Sequence, residues 1–313
     1  MNFKAPDNYQ ELYDEVVAKC YALIKLKYWD KIQKRNLDQW LRNFSSPEEK
    51  YLATLILNKI IYRNFASIMS AMSQLFYVNL PELLSKYNIY TVPTYLHDWE
   101  KLLKKETFSQ QTTFAFSTIT TGELGESSAF YARLLREYFL HKNLLKTIQE
   151  NLPERISTLI FIDDIIGSGD QVNEFIKDNR LVLQKYKNIF FMPLMAHEVG
   201  IKNIQRNIKL FNLEHIIHII PIETLTLENS FFHFKKNAFS SIETFDGVNS
   251  IDDLRIFYKF IVDTKKVVDS TNLVFGFGNL ALSLLFHTGV PDNTIPLIYR
   301  SVENSWASLQ EKF

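Results

Sequence analysis

The strongest constraint on the fold comes from residues 158–171. An unbroken apolar run of β-forming residues, Leu159 to Ile162, is followed by two adjacent aspartates and a glycine-containing loop. Apolar residues then recur at helical spacing from Val172 onwards. This order predicts a buried parallel strand, a turn and a helix start, with Asp163 and Asp164 emerging at the carboxyl end of the strand. Ligands of open α/β sheets bind at that end.

The loop after the aspartates has the composition of an anion site. Gly167 and Gly169 allow positive φ angles and a close approach of backbone amides to a ligand. A helix that begins near Asp170 directs unpaired N–H groups and its dipole into the loop, which suits a phosphate. The two carboxylates suit ribose hydroxyls, a magnesium ion or both. The alternative is a capping box, in which Ser168 and Gln171 occupy the same amides without a ligand.

This stretch resembles the phosphoribosyl diphosphate (PRPP) motif of type I phosphoribosyltransferases. That motif has apolar residues, two acids, two more apolar residues and a Thr/Ser-Gly-x-Thr loop. The resemblance implies that Asp163 and Asp164 are the catalytic acids, contact the ribose hydroxyls and hold Mg²⁺. It implies that the 5′-phosphate is bound by a set of loop residues: Gly167, Ser168, Gly169, Asp170 and Gln171. Two departures are a glutamine at the usual threonine position and the added negative charge of Asp170.

A second strand, glycine loop and helix unit precedes the first. Thr112 to Ile119 is rich in β-forming residues, and helical spacing resumes at Ala129. Consecutive amides in the loop between them could form an anion nest. In the family that the chain resembles, this loop receives the pyrophosphate; the corresponding residues are Gly122, Gly125, Glu126, Ser127 and Ser128. The alternative is an ordinary turn.

Two further strands are expected at Asn188 to Leu194 and at His215 to Ile222, with a helix between them. A last strand is expected at Asn272 to Phe277, followed by a helical stretch from Leu280 to Phe286. This alternation predicts an α/β fold with a parallel, three-layer sheet domain, and the resemblance implies a sheet of the type I phosphoribosyltransferase kind.

Histidines raise two minor alternatives. His215 and His218 fall on opposite faces of a strand, which argues against a metal pair. His197 and Glu198 follow a strand end, where they either approach the site or form a solvated turn.

Two domains are expected, at residues 1–108 and 109–313. The first segment has helical spacing throughout, with a helix start at Ser46-Pro47, and predicts an all-α N-terminal domain. It carries no chemical constellation, which favours packing or partner binding. The second segment is expected to be the phosphoribosyltransferase-like domain, with an insertion or cap at about 223–270.

The amino-acid composition argues against several classes of function. Lys+Arg and Asp+Glu both number 35, so a formal net charge of zero gives no support for nonspecific nucleic-acid or membrane-surface binding. The single cysteine, Cys20, excludes an internal disulfide and a cysteine metal cluster. Met1 to Gln10 lacks the apolar core of a signal peptide, and no apolar run reaches the about 18 residues of a membrane span. A cytoplasmic location is expected.

The chain also resembles a narrower bacterial subgroup of phosphoribosyltransferase-like proteins that is associated with genome conflict and phage defence. The shared features are a helical amino-terminal half, an acid-pair motif ending in Gly-Ser-Gly-x-Gln, a late Gly-x-Gly at Gly276 and Gly278, and Pro-x-Asn-Thr-x-Pro at Pro291 to Pro296. The resemblance implies two partners. One is PRPP or a related phosphosugar or nucleotide, and the other is a protein from a defence operon, bound through the helical domain.

One element of ordinary type I enzymes is not recognisable. They carry a flexible hairpin between the pyrophosphate loop and the acid pair, which closes over the reaction. His141 to Ser157 is short, polar and helical in pattern. Two functions therefore stay open: a transferase that acts on PRPP or a nucleotide, and a non-catalytic module that senses a nucleotide or binds a partner.

Overall fold

The structure, a computed structural model, describes residues 2–119, 127–148, 152–234, 244–269, 273–303 and 305–311. It confirms the α/β class, with helices and parallel strands. The helices are α1 Tyr9–Lys25, α2 Lys34–Leu41, α3 Pro47–Lys59, α4 Phe65–Gln74, α5 Leu80–Lys86, α6 Leu96–Leu103, α7 Glu106–Gln111, α8 Ser127–Leu134, α9 Asp170–Leu183, α10 Glu198–Leu210, α11 Ile251–Thr264 and α12 Pro296–Tyr299. The strands are β1 Ile61–Arg63, β2 Phe114–Ser117, β3 Thr158–Ile166, β4 Asn188–His197, β5 Ile217–Ile219, β6 Glu223–Leu225 and β7 Leu284–Phe286. Searched across its described part, the chain has no helix with both the length and the apolar character to cross a bilayer.

The chain forms two compact units. The first unit joins Met1–Ala66 to Thr226–Phe313, and the second unit is Ser67–Leu225. The boundary expected at residue 108 does not coincide with this division, and the assignment of domains to 1–108 and 109–313 stays a prediction. The amino-terminal segment is helical apart from β1, which pairs in parallel with β7 inside the first unit.

The second unit is built on a parallel sheet in the order β2-β3-β4-β5, and β6 pairs with β4. Helices α9 and α10 pack on one face, where Phe175 of α9 meets Phe161 of β3 at 5.1 Å between ring centroids. Residues that precede the sheet in sequence supply aromatic contacts to other strand residues: Tyr87 lies 5.0 Å from Phe190. Phe76 and Phe108 likewise contact Phe116 and Phe114 of β2, and these contacts agree with the grouping of residues 67–108 with the sheet.

β3 is longer than the sequence predicted. It continues to Ile166 instead of ending at Ile162, because β4 runs beside it and supplies pairing partners as far as Ala196. β2 ends earlier, at Ser117. The acid pair therefore lies inside β3 but beyond the end of its neighbour β2, towards the carboxyl side of the sheet.

Asp30 connects separate segments of the first unit through hydrogen bonds. Its carboxylate accepts hydrogen bonds from the Tyr62 hydroxyl at 2.7 Å and from the Phe65 N–H at 3.0 Å, and Nδ1 of His287 lies 2.9 Å away. Burial raises the pKa of Asp30, but these hydrogen bonds and the charge of His287 outweigh burial and hold the pKa below its usual value. Asp30 thus joins the start of α4 to the end of β7.

The strand predicted at Asn272 to Phe277 is wrong over its described residues. Gly276 and Gly278 have φ angles of +71° and +67°, which are incompatible with an extended strand, and Phe277–Asn279 is a 3₁₀ turn. The chain becomes extended later, in β7, within the stretch that was expected to be helical.

The two histidines near β5 have different environments. His215 precedes the strand and is exposed. His218 lies within it, with ring centroids 4.8 Å from Tyr87 and 5.2 Å from Phe190. Burial, followed by the positive charge of Lys86, lowers the pKa of His218. The argument from opposite faces of one strand does not apply, because His215 lies outside β5.

Acidification is expected to destabilise the protein in part through His218. The folded-state pKa is lowered below the unfolded value of 6.5, so the unfolded state binds this proton more readily. The stabilising contribution is present above that value and is lost as the pH falls towards the folded-state pKa.

His218→Phe keeps the ring packing and removes the titration. Its free energy of unfolding should fall less than that of the wild type between about pH 7.5 and about pH 5. Denaturant titrations measure this, with exposed His215→Phe as the control; parallel losses in wild type and His218→Phe would contradict it.

Candidate functional site

The two acids of β3 differ in accessibility. Asp163 is 5% exposed, whereas Asp164 is half-buried. Each carboxylate accepts the next backbone N–H: Asp163 Oδ1 from Asp164 at 2.9 Å, and Asp164 Oδ1 from Ile165 at 2.8 Å. Consecutive strand residues point in different directions. The more accessible Asp164 is therefore better placed to contact a ligand, and Asp163 is better placed to organise the backbone.

The turn from β3 into α9 opens a helix N-terminus. Gly169 is the N-cap residue, with φ +87°, and has no side chain with which to cap the first N–H groups of α9. Gly167 is not in the left-handed region, so the expected positive φ applies to Gly169 alone. The capping box between Ser168 and Gln171 does not form. Instead, the Ser168 hydroxyl donates a hydrogen bond to Oδ2 of Asp170 at 2.7 Å.

Helix α10 contacts this turn through a glycine that sequence analysis missed. A Cβ atom on Gly200 would lie 2.2 Å from the carbonyl oxygen of Gly167. A Cβ atom on Gly169 would lie 2.8 Å from the carbonyl oxygen of Gly200 and 3.0 Å from Ile204. The distances of 2.2 Å and 2.8 Å are shorter than packed atoms allow, so the loop and the helix approach each other closely only because both positions are glycine. The one sequence signal was a glycine in the first turn of the helix after β4.

A second missed residue, Asn203, fixes the direction of the loop peptides. Its Nδ2 donates a hydrogen bond to the carbonyl oxygen of Ser168 at 3.0 Å. In a planar trans peptide the N–H points opposite to the C=O, so the N–H of Gly169 is directed away from α10. The Gly167 carbonyl also lies against α10, which directs the Ser168 N–H the same way. The N–H groups of Ser168 and Gly169 are thus both directed to the side of the loop opposite α10.

His197 and Glu198 serve the start of α10. The His197 side chain is fully buried, and its Nδ1 accepts the N–H of Val199 at 3.2 Å, which caps the helix. Glu198 forms a surface ion pair with Lys202 at 2.9 Å. The sequence left two alternatives for this pair, an approach to the site or a solvated turn. Neither describes the buried His197, which caps α10.

The expected pyrophosphate loop lies largely outside the described residues, which do not include Gly122, Gly125 and Glu126. Helix α8 begins at Ser127, and the Ser128 side chain is buried. The loop follows β2, the direct neighbour of β3 in the sheet. β2 itself ends at Ser117, beside the strand that carries the acid pair.

Comparison with known proteins places the chain in a family. The family model PRTase-CE matches residues 37–312. The chain belongs to the PRTase-CE family. It is therefore a phosphoribosyltransferase-like protein, as the broader resemblance implied. A search of curated proteins gives no match.

In this PRTase-CE chain, the segment that precedes β3 is described at residues 140–148 and 152–157. It contains a 3₁₀ turn at Lys142–Leu144 and a bridge from Leu145 to Phe116 of β2. No β-hairpin occurs in residues 140–148 and 152–157, the part of this segment that is described. The described residues thus agree with the absence of a recognisable hairpin in the sequence.

The two late motifs of this PRTase-CE chain pack on each other in the first unit. A Cβ atom on Gly276 would lie 2.4 Å from the carbonyl oxygen of Asn293. Nδ2 of Asn293 donates to the Phe277 carbonyl at 2.8 Å, and the buried Thr294 hydroxyl donates to the Leu284 carbonyl at 2.7 Å. These contacts give the motif residues a role in holding the first unit together.

Proposed function

We propose that this protein binds PRPP, or a related phosphosugar or nucleotide, at the carboxyl side of β3. The observation that carries the proposal is the N-terminus of α9, opened by Gly169 and preceded by Asp163 and Asp164. Helix N–H groups and the helix dipole favour a phosphate, and carboxylates accept hydrogen bonds from sugar hydroxyls. Membership of a phosphoribosyltransferase-like family supports the same ligand class.

Each group has a role in this proposal. The Asp164 carboxylate accepts hydrogen bonds from the ribose hydroxyls, and residues Gly167 to Gln171 hold the 5′-phosphate. The loop from Gly122 to Ser128 receives the pyrophosphate. In a transfer reaction, the bond from the anomeric carbon to pyrophosphate breaks and pyrophosphate leaves with the electron pair, while the acceptor forms the new bond. Positive charge develops on the ribose ring, and the carboxylates of Asp163 and Asp164 stabilise it.

Magnesium fits the donor chemistry of this site. No lysine or arginine occurs between Arg155 and Lys177, so this stretch has no basic side chain to neutralise a phosphate. No group of three or more potential metal-ligating residues is found within the described residues. Asp164 would hold Mg²⁺ together with oxygens of the ligand, and the adjacent buried Asp163 would add its negative charge, since magnesium commonly uses one or two carboxylates plus substrate phosphates. When bound, the ion would neutralise and polarise the pyrophosphate.

Calorimetric titration with PRPP, ribose 5-phosphate and nucleotides, with and without Mg²⁺, tests the proposal. Binding of PRPP that strengthens with Mg²⁺ is expected, because the ion offsets the repulsion between the ligand and the acidic stretch. Failure of all these ligands to bind, in either condition, would overturn the proposed function.

A second candidate is a module that binds the ligand without transferring it. Residues 140–148 and 152–157 contain no hairpin that could close over the site, and this favours the second candidate. A pyrophosphate-release assay with Mg²⁺, PRPP and a panel of nucleobase acceptors separates the two candidates. Release that is lost in Asp164→Asn favours the transferase, and binding without release favours the sensor.

We further propose an effector role in bacterial anti-phage defence, supported by the resemblance to the conflict-associated subgroup. A protein partner would bind through the amino-terminal helices. Gene neighbourhood distinguishes the alternatives: an adjacent reverse transcriptase or DNA-binding defence gene favours the effector, whereas a purine or pyrimidine operon favours a housekeeping enzyme.

A further inference from the structure

Helices α9 and α10 of the second unit present an exposed face on which cations and leucines share the same rows. On α9, Lys177 and Leu181 are four residues apart, and both are exposed. On α10, Lys202, Arg206 and Leu210 follow one another at the same interval, and all three are exposed. Residues four apart lie on one side of a helix, so each helix carries one such row. These five residues are called the α9–α10 face below.

The C-terminal ends of the two helices lie next to each other. The guanidinium carbon of Arg180, in the last turn of α9, lies 4.9 Å from the ring centroid of Phe211, which directly follows α10. Leu181 and Leu210 are the chain neighbours of these two residues, so they flank one contact. Leu181 lies about 16 Å along α9 from its first residue. Both leucines are therefore placed towards the amino side of the sheet, away from the acid pair.

The two leucines expose apolar surface that the fold does not use. Leu181 is 79% exposed and Leu210 is 74% exposed. The inner sides of the same helices already supply buried apolar residues to the core, among them Ile176 and Ile204. A single exposed leucine is ordinary on a protein surface, but exposed apolar residues grouped within a polar rim are typical of an interaction site.

The surroundings of the leucines are basic. Residues 177–187 and 199–213 contain seven basic residues and one acidic residue, in a chain whose formal net charge is zero. Cations in the last turn of a helix complement its dipole, which accounts for Arg180 and Lys209. It does not account for Lys177, Lys202 and Arg206, which precede the last turns. The excess of positive charge favours an acidic partner.

We propose that the α9–α10 face is a docking surface for an acidic amphipathic helix of a partner protein. The apolar side of that helix covers Leu181 and Leu210, and its carboxylates lie along the cations. A nucleic acid would complement the cations, but its phosphate backbone would leave the leucines uncovered, so their exposure favours a protein. The row from Lys202 to Leu210 spans about 12 Å, and a partner helix of about three turns covers it. The proposal is independent of PRPP binding.

Fluorescence anisotropy with a labelled peptide tests the proposal. The probe is a helix-forming peptide of about 18 residues, with leucines at the apolar positions of a helical pattern and glutamates elsewhere. One control peptide has alanine in place of leucine, and another has lysine in place of glutamate. The wild type should bind the Glu/Leu peptide at least about 10-fold more tightly than either control, because only this peptide satisfies both the leucines and the cations.

Two double variants separate the apolar and the charged contributions. Leu181→Gln/Leu210→Gln should weaken binding of the Glu/Leu peptide about 10-fold or more at every salt concentration, because it removes the apolar contacts. Lys177→Gln/Arg206→Gln should weaken binding about 3-fold at low salt, and this difference should disappear at about 1 M salt, where exposed charges are screened.

Lys25→Gln/Leu26→Gln is the matched control, because it removes an exposed lysine and an exposed leucine from the end of α1 in the first unit. It should bind the Glu/Leu peptide as the wild type does. Failure of the wild type to bind this peptide, or an equal loss in the control variant, would overturn the proposal. Binding of a single-stranded or duplex oligonucleotide that needs the cations but not the leucines, in place of peptide binding, would also overturn it and would identify a nucleic-acid surface. Calorimetry with Mg²⁺–PRPP on the same variants reports on the proposed function separately.

Discussion

Replacing Gly200 by alanine is expected to lower the free energy of unfolding by roughly 1–3 kcal/mol, because the new methyl group overpacks a closed contact. Its Cβ would lie 2.2 Å from the Gly167 carbonyl oxygen, which is a backbone atom and cannot rotate away. The sign of this change in the free energy of unfolding is informative, because it is opposite to the usual one. A glycine-to-alanine change inside a helix ordinarily stabilises a protein by about 0.5–1 kcal/mol.

The same change should weaken Mg²⁺–PRPP binding, since the loop can relieve the overlap only by moving its amides away from α10. Denaturant unfolding and calorimetry measure the two effects. Gln205→Ala, at an exposed position of the same helix, is the control and should alter neither. A Gly200→Ala protein that is more stable than the wild type would show that the loop and α10 do not approach as closely as described.

Replacing Asp164 by asparagine is expected to weaken Mg²⁺–PRPP binding roughly 10- to 100-fold, which is the effect of losing a charged hydrogen-bond acceptor worth about 1.5–3 kcal/mol. The fold should be retained, because Asp164 is only half-buried and asparagine can still accept the N–H of Ile165 through its carbonyl oxygen.

Asp163→Asn is predicted to have an additional effect that Asp164→Asn lacks. Asp163 is 5% exposed, so its replacement should lower stability as well as affinity. Calorimetry and thermal unfolding of both variants separate ligand contact from positioning, with Asp178→Asn as an exposed acidic control. Unchanged affinity in Asp164→Asn would remove the role assigned to the acid pair.

Local patterns in the sequence predicted the elements that carry the site. The apolar run at Leu159 to Ile162 predicted β3, because a strand in a parallel sheet is buried on both faces and needs no alternation. The glycine loop predicted the start of α9, and it occurs at Asp170. The acid pair and the loop are adjacent in sequence, so their adjacency in space followed directly.

Features that depend on distant residues were not predictable in this way. The extension of β3 to Ile166 requires β4 beside it, and a strand end is set by its pairing partner as much as by its own residues. Gly200 and Asn203 contact the loop across more than 30 positions of sequence, through a helix–loop packing that no periodicity encodes. The prediction of a strand ending at Phe277 was wrong because Gly276 and Gly278 have positive φ angles, which interrupt an extended backbone.

Amide hydrogen exchange in residues 167–172 tests the central claim most directly. The first N–H groups of α9 have no side-chain cap from Gly169, so they should exchange quickly in the free protein. The N-terminus of α11 is the internal control, because Ser250 and Asp253 already form a capping box there. Addition of Mg²⁺–PRPP should slow exchange at 167–172 and leave residues 250–254 unchanged. Binding of Mg²⁺–PRPP without any slowing at 167–172 would contradict the placement of the phosphate in this loop.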